Sequence, residues 1–193
     1  MFFRQIDEDL KLSLSIPQYA DELFELTDRN RTFLKQWLPW LDKIQQSLDT
    51  KQFLEHQLLR FGRSQALHIT IFYQNKIAGV VGFNLIDKEN NIGHLGYWLG
   101  QEYNGKGIMT KSVRELIEIG FNYYFLQRID VRCAVENNRS RAIPKRLNFQ
   151  QEGIIRRAEK LSVPQESGAY RYVDHVVYGL LTEEYKFKSD FQH

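Results

Sequence analysis

The segment QEYNGKGIMTKS, residues 101–112, combines residue types that suit the binding of a phosphate group. Gly105 and Gly107 lack a side chain, so the backbone there can approach a ligand closely. If a helix begins in this segment, its free N–H groups and its dipole attract an anion. Lys106 and Lys111 add positive charge nearby. The segment therefore predicts a phosphate-binding loop, and the alternative is an ordinary glycine turn that precedes a helix.

Two nucleotide-binding loops fit this segment poorly, and a third fits it well. The Walker A loop, G-x-x-x-x-G-K-[ST], and the dinucleotide fingerprint, G-x-G-x-x-G, both need a glycine where this chain has Thr110. A β-branched side chain resists the backbone geometry that the glycine provides. The pattern Q-x-x-G-x-G matches Gln101, Gly105 and Gly107, and it requires a loop between an antiparallel strand and a long helix.

The pattern of apolar residues around the segment predicts strands and helices in a mixed order. Strands are predicted at residues 10–16, 67–73, 76–86, 92–100 and 128–135, with two more at 151–160 and 170–181. Helices are predicted after Pro17, at residues 48–63, after Asn104, and in a short stretch that ends near Asn148. This order is typical of an α+β protein in which helices cover both sides of a mixed sheet.

The composition predicts one folded domain, residues 1–193, and excludes several classes of protein. Hydrophobic residues make up 42% of the chain, which is enough for a core, and a net charge of +2 gives no reason to expect direct nucleic-acid binding. Cys133 is the only cysteine, so neither a disulfide framework nor a metal site is expected. The N-terminus is acidic where a signal peptide is apolar, and no apolar stretch reaches about 18 residues, so no membrane span and a cytoplasmic location are expected.

Three ordered motifs give the chain a resemblance to the GNAT superfamily of N-acetyltransferases. They are GYWLGQEYNGKGIMTKSVRELIEIGF, RIDVRCAVENNRSRAIPKRLNF, and EGIIRRAE followed by YVDHVVYGLL. Within the superfamily the chain resembles the RimL-type ribosomal-protein serine/alanine N-acetyltransferases, roughly over residues 11–181 and most strongly over 96–149. The resemblance implies a GNAT fold, in which a central mixed, mostly antiparallel sheet is flanked by helices and splayed between its fourth and fifth strands.

The resemblance also implies that acetyl-CoA is the cosubstrate and that its diphosphate binds the Q-x-x-G-x-G loop, mainly through backbone amides. The pantetheine arm would pair with the strand before the loop, where an N–H near Trp98 or Leu99 would polarise the thioester carbonyl. Thr110 would lie in the first helical turn and contact a phosphate. The cofactor contacts implied in this way are Tyr97, Trp98, Leu99, Gln101, Asn104, Gly105, Lys106, Gly107, Met109, Thr110 and Asn137.

Catalysis by such an enzyme needs a base for the amine and a proton for the leaving thiolate. In the proteins that the chain resembles, a glutamate before the loop is the proposed base, and His94 stands at that position here. Histidine has an ordinary pKa of about 6.5 and can act as a base. A tyrosine often serves as the acid, but this chain has Pro144 there, and the RimL-type pattern implies Ser140 instead, with Asn137 on the pantetheine arm. Either residue could instead cap a helix.

The acceptor implied by the resemblance is a primary amine, in particular the N-terminal α-amine of a ribosomal protein, attacking directly in a ternary complex. An α-amine, with a pKa of about 7.7–8.0, is partly neutral near physiological pH. The alternatives are a small-molecule amine, such as an antibiotic or polyamine, and a non-catalytic acetyl-CoA-binding module. Trp37, Trp40 and Tyr170 are expected to line the acceptor pocket unless they belong to the core. Exposed strand edges would allow a homodimer.

Other reactive residue types are expected to be structural. Cys133 lies on the apolar face of its predicted strand, as a small core residue does. Asp174 and His175 are neighbours on a predicted strand, so their side chains point to opposite faces and do not pair.

Overall fold

Eight strands form one mixed sheet in the computed structural model, which describes residues 3–164 and 170–186 of the chain. In chain order they are β1 (Phe3–Gln5), β2 (Leu10–Leu14), β3 (Leu67–Tyr73), β4 (Lys76–Asp87), β5 (Ile92–Leu99), β6 (Arg128–Ala134), β7 (Gln150–Pro164) and β8 (Tyr170–Leu181). The spatial order is β1-β2-β3-β4-β5-β6-β8-β7, and β5 and β6 are the parallel pair. The predicted α+β class with a mixed, mostly antiparallel sheet is confirmed.

Helices cover both faces of this sheet. The α-helices of the described residues are α1 (Ala20–Arg29), α2 (Arg31–Leu34), α3 (Ser47–Gly62), α4 (Ile108–Tyr123) and α5 (Asn138–Arg146). α4 lies against β4 and β5, and Gly120 approaches Phe83 so closely that an added Cβ would meet its ring at 2.8 Å. Phe83 and its cross-strand partner Leu67 therefore face α4, and His68, the next residue of β3, points to the opposite face. α1 and α3 cover that opposite face, where Phe53 of α3 packs on His68.

Most predicted elements are present with ends close to the prediction, and two short elements have no counterpart in the sequence pattern. β1 has three residues and α2 has four, so neither contains enough repeats for a periodic signal. The predicted hairpin between β3 and β4 is confirmed, because Gln74 and Asn75 have φ angles of 51° and 62°, as a type I′ turn requires. Because β1 is not among the predicted strands, the predicted fourth and fifth strands correspond to β5 and β6.

β5 and β6 separate along their length, and this separation opens the sheet. They pair as parallel strands only from Ile92 with Arg128 to Leu95 with Val131. Beyond this point, residues 96–99 of β5 pair with β4 alone among the described residues. The opening beyond Leu95, called the β5–β6 gap, lies where the predicted splay between the fourth and fifth strands falls.

The backbone of β5 offers hydrogen-bonding groups to the β5–β6 gap. The N–H of Gly100 donates to the carbonyl of Ala78 in β4 at 2.9 Å. Because successive peptide groups of a strand alternate in direction, the N–H of Trp98 also points to β4. The N–H groups of Tyr97 and Leu99 therefore point into the gap, which favours Leu99 over Trp98 as the amide that meets a ligand there.

Candidate functional site

The glycine loop has the backbone geometry that the sequence predicts. Gly105 and Gly107 have φ angles of 79° and 74°, a left-handed conformation that other residues adopt only with strain. A Cβ at either position would meet no atom within 4 Å, so backbone conformation and not space requires glycine here. α4 begins at Ile108, and its bond from Lys111 N to the Gly107 carbonyl spans 3.1 Å. The amides of the first turn have no acceptor within the helix and are free to bind an anion.

Three of the residues predicted to contact the cofactor interact with other parts of the protein instead. The N–H of Gln101 donates to Asn30 Oδ1 at 2.8 Å, and the side-chain amide of Asn104 donates to the Gly100 carbonyl at 3.2 Å. The side chain of Met109 is buried in the core, so only its backbone N–H can face a ligand. Gln101 and Asn104 thus shape the loop, and the amides near the glycines are the groups left for a phosphate.

The two loop lysines differ in their partners. Lys111 Nζ lies 2.6 Å from Asp7 Oδ2, and the hydrogen bond from Lys111 lowers the pKa of Asp7. Lys106 Nζ lies 5.4 Å from the ring centre of Tyr73 and has no carboxylate partner within the described ranges. Lys106 therefore supplies the uncompensated positive charge of this loop.

A cavity of about 920 Å³ opens on the face of the sheet that α1 and α3 cover and extends to the β5–β6 gap. The sequence-predicted residues that it brings together are Trp37, Trp40, His94, Tyr97, Trp98, Asn137 and Ser140. It also brings in six residues that the sequence does not indicate as a group: Thr50, Gln57, His68, Asp130, Glu159 and His175. His94 and Ser140 therefore line the same cavity.

Tyr170 does not share this cavity with the two predicted tryptophans. It is 56% exposed and is not among the described residues that line the cavity. Its ring lies beneath Lys160 Nζ, which is 3.2 Å from the ring centre. Trp37 and Trp40 line the cavity as predicted, and the rings of Trp40 and Trp98 are 6.2 Å apart.

His94 is held by a buried carboxylate that sequence reasoning missed. His94 and Asp130 are cross-strand partners on β5 and β6, and His94 Nδ1 lies 2.7 Å from Asp130 Oδ1. The Asp130 side chain is 8% exposed and that of His94 is 30% exposed. A carboxylate at Nδ1 orients the imidazole, and Nε2 has no hydrogen-bond partner among the described residues, while both His94 and Asp130 line the cavity. Asp130 lies on an alternating strand, where its residue type is the only sequence signal.

Ser140 lies in a cluster of protonated groups. Asn137 Oδ1 caps α5 by accepting from the Ser140 N–H at 3.1 Å, so the capping alternative for Asn137 is realised, with the amide nitrogen left over. Ser140 Oγ is 3.2 Å from Cys133 Sγ, and the Tyr97 hydroxyl donates to the Ser140 carbonyl at 2.9 Å. Burial raises the pKa of the Tyr97 phenol well above its usual range and also raises the pKa of the Cys133 thiol.

A second histidine–carboxylate pair lies in the same cavity. Glu159 Oε2 is 3.3 Å from His175 Nε2, and an irregularity in β7 between Ile155 and Glu159 brings the carboxylate into position. Asp174 stabilises that irregularity by accepting from the Arg157 N–H at 2.7 Å. Asp174 and His175 have separate partners, as the alternation of strand side chains predicts. The irregular register of β7 hides Glu159 from sequence reasoning.

His68 lines the cavity on the side of α3. Its Nδ1 is 2.9 Å from Ser15 Oγ, which in turn is 2.8 Å from Thr70 Oγ1. The ring packs edge-on against Phe53, with ring centres 5.1 Å apart. Burial lowers the pKa of His68 to about 4, so the imidazole is neutral at physiological pH.

Lowering the pH from 7 to 5 is expected to destabilise the protein by up to about 2 kcal/mol through His68 alone. Burial depresses the folded-state pKa of His68 to about 4, below the ordinary value of about 6.5. The unfolded chain therefore takes up the proton first, so stability is complete above the ordinary pKa and falls as the pH approaches 4. Urea unfolding at both pH values should show a smaller loss in His68→Gln than in the wild type. Equal losses would contradict a buried neutral imidazole.

Two further site types are absent from the described parts of the chain. No group of three or more His, Cys, Asp or Glu side chains that could hold a metal ion occurs within residues 3–164 and 170–186. Across the same residues, no helix has both the length and the apolar character needed to span a membrane.

Comparison with known protein families gives a match over most of the chain. The sequence model of the family described as "Acetyltransferase (GNAT) domain" matches residues 10–150. The "Ribosomal-protein-serine acetyltransferase" of Escherichia coli (strain K12) is 29% identical over 158 residues, which cover 82% of this chain and 88% of the relative.

Two solved structures of similar proteins contain coenzyme A or its acetyl derivative. A RimL alpha-N-protein acetyltransferase of ribosomal L7/L12, solved with coenzyme A in a disulfide to one of its cysteines, has a TM-score of 0.87 and 28% identity. The match covers 95% of this chain and 100% of that one. The microcin C7 self-immunity acetyltransferase MccE, solved with acetyl-CoA and AMP, has a TM-score of 0.82 and 29% identity, covering 91% of this chain and 94% of the other.

Proposed function

The chain belongs to the GNAT acetyltransferase domain family, and we propose that it acetylates the N-terminal α-amine of a ribosomal protein. It is an acyltransferase of the N-acetyltransferase class, with acetyl-CoA as its cosubstrate. The observation that carries the proposed acceptor is the arrangement of His94 and Ser140 in one cavity beside the β5–β6 gap. Similarity to the E. coli ribosomal-protein-serine acetyltransferase supports the same acceptor class. A ribosomal substrate implies a cytoplasmic enzyme.

The residues of the loop and the gap fit acetyl-CoA, which supplies a thioester-linked acetyl group when it is bound. The left-handed backbone at Gly105 and Gly107 and the free first-turn amides of α4 suit a diphosphate. Lys106 and the Thr110 hydroxyl would add to this contact. The N–H groups of Tyr97 and Leu99 point into the gap, where they can pair with the amides of a pantetheine arm. Leu99 would then be the backbone donor to the thioester carbonyl.

His94 is proposed as the group that removes a proton from the acceptor amine. Its Nδ1 is held at 2.7 Å from Asp130, which leaves Nε2 as the nitrogen that can accept the proton. An α-amine needs only a modest base, since it is partly neutral near physiological pH. Asp130 acts through His94 and is a positioning residue.

Ser140 is proposed to donate a proton to the leaving thiolate. Its hydroxyl is 3.2 Å from Cys133 Sγ. In the RimL structure, coenzyme A forms a disulfide with a cysteine, which brings the coenzyme sulfur to a thiol. Cys133 is the only cysteine of this chain, so an equivalent contact here would put the coenzyme sulfur beside Ser140. The cluster is uncharged, because burial raises the pKa of both Cys133 and Tyr97.

Comparing the N-terminal acetylation of ribosomal proteins in cells with and without the gene tests the proposed acceptor. One or more ribosomal N-termini should lose the acetyl group without the gene, as mass spectrometry of intact N-terminal peptides would show. The purified protein should restore that group with release of one free coenzyme A for each acetylated chain. An unchanged set of ribosomal N-termini would exclude this acceptor while leaving acetyl transfer intact.

A nucleotide-bearing small amine is a second candidate acceptor, favoured by the aromatic wall of the cavity. Trp40 is 38% exposed and lies 6.2 Å from Trp98 between ring centres, which leaves an indole face for a planar base. MccE, which is similar to this chain, was solved with AMP. AMP should then inhibit acetylation of a peptide competitively and raise the melting temperature. No effect of millimolar AMP on either would exclude this acceptor.

A further inference from the structure

His68 offers one uncommitted ring nitrogen to the cavity. Nδ1 is bonded to Ser15 Oγ at 2.9 Å, and Ser15 continues to Thr70 at 2.8 Å, so the ring is fixed from behind. No described residue bonds Nε2, although the residue lines the cavity. In one tautomer Nε2 donates a hydrogen bond, and in the other it accepts one. A polar ligand atom is therefore the natural partner for this nitrogen.

The row of residues that leads from His68 to the β5–β6 gap carries no side chain beyond that of His68 itself, but the Asn84 side chain lies over Gly96. His68 is paired with Gly82 in β4, and Gly82 is paired with Gly96 in β5, so the three residues form one row across the sheet. Cross-strand partners share a face, and the strands are about 4.8 Å apart, so this row is about 10 Å long. His94 and Trp98 stand two residues to either side of Gly96 on the same face. Because Asn84 covers Gly96, the position nearest His68 in the cavity lining is above Gly82, one strand spacing of about 4.8 Å from His68. The first residue of a peptide placed above Gly82 would be within reach of His68.

The surroundings of His68 favour a small, uncharged polar group. The imidazole is neutral at physiological pH because burial lowers its pKa to about 4. The Arg60 guanidinium is committed to the Asn84 carbonyl at 2.7 Å and to Gln57 Oε1 at 3.4 Å. Phe53 forms an apolar wall beside the ring. A charged side chain would lose its hydration here without a partner of opposite charge, whereas a hydroxyl needs only one hydrogen bond.

We propose that His68 determines the specificity for the first residue of the acceptor by bonding a serine hydroxyl through Nε2. The proposal rests on the N-terminal acetylation proposed above and names the residue that distinguishes serine from alanine at that position. An acceptor with alanine leaves Nε2 without a partner in the cavity, and a site built to bond a hydroxyl discriminates against substrates that lack it. His68 touches the acceptor but not the reacting atoms.

Two peptides that differ only in a first serine or alanine test the proposal. The wild-type enzyme should show a kcat/KM about tenfold higher for the serine peptide, as expected for one neutral hydrogen bond. His68→Leu should reduce this ratio to about one, because the loss in kcat/KM falls mainly on the serine peptide. His68→Gln, which keeps a donor and an acceptor, should retain part of the preference.

His56→Leu is the matched control, because His56 lies exposed on α3, outside the cavity lining. It should keep the wild-type ratio, and the affinity of each variant for coenzyme A should be unchanged if the fold is intact. A wild-type ratio in an active His68→Leu enzyme would overturn the role of His68 while N-terminal acetylation stands. No acetylation of either peptide by the wild type would overturn both proposals together.

Discussion

Replacing His94 by glutamine is expected to lower kcat by about a hundredfold or more, the usual contribution of a general base. The imidazole lines the cavity that also holds Ser140, and Asp130, 2.7 Å from Nδ1, fixes the orientation of the ring. Glutamine fills a similar space without accepting a proton in this pH range. Steady-state kinetics should show the loss in kcat, with the dissociation constant of coenzyme A within about threefold of wild type, since the loop is untouched.

Asp130→Asn separates the positioning role of Asp130 from a structural one. It should reduce kcat by about tenfold with the affinity for coenzyme A unchanged, because the carboxylate that orients the His94 ring is lost. Asp28→Asn serves as the control, since Asp28 is 56% exposed and pairs with Arg31 on the surface. The Asp28→Asn variant should keep the wild-type kcat.

Glu159 is the competing base, since its carboxylate lies in the same cavity beside His175. Full activity in His94→Gln combined with a large loss in Glu159→Gln would assign the proton transfer to Glu159. Near-wild-type activity in Glu159→Gln combined with the loss in His94→Gln would keep His94 as the base.

The second large effect is expected at the loop, where Gly107→Val should weaken coenzyme A binding at least about a hundredfold. The φ angle of 74° at Gly107 aligns the first amides of α4, and a β-branched residue resists that conformation. Misaligning two amide donors to a charged phosphate loses about 3 kcal/mol or more, which corresponds to that factor. Calorimetric titration with coenzyme A measures the change directly.

Gly153→Val is the matched control for this variant. Gly153, like Gly107, has no atom within 4 Å of an added Cβ, but it does not carry a left-handed φ and lies on β7. The Gly153→Val variant should bind coenzyme A with the affinity of the wild type. Backbone strain at Gly107 also lowers the melting temperature, by about 2–10 °C for a strain of 1–3 kcal/mol in a protein of this size. Binding within threefold of wild type in Gly107→Val would argue against the loop as the diphosphate site.

Local patterns in the sequence predict much of the fold and the cofactor loop. The alternation of apolar and polar residues in the strands and the helical spacing of apolar residues after Asn104 depend on neighbouring residues only. They can therefore be recognised from the sequence without a structure. The left-handed backbone at Gly105 and Gly107 can be predicted for the same reason, since it is a property of single residues. The pattern cannot reveal β1 and α2, because three or four residues are too few for a period.

The acceptor side of the site depends on contacts between distant residues. Asp130 meets His94 because β5 and β6 run parallel in a particular register, and that register is set by the packing of whole strands. Glu159 reaches His175 through the irregularity in β7, which no local signal marks. Tyr170 is the opposite case: the sequence places it in the acceptor pocket, but it is not among the described residues that line the cavity.

The chain's motifs thus predict the loop proposed to bind the diphosphate of the cofactor, and its fold brings together the groups proposed to meet the acceptor. A phosphate loop is built from consecutive backbone amides, so its information is contained within about ten residues of sequence. The cavity proposed to bind the acceptor is lined by residues of six strands, β3 to β8, by residues of α1, α3 and α5, and by the segment 37–44. Those side chains come together only when the sheet closes over its core, because burial of apolar surface acts on the whole chain and not on neighbours in sequence.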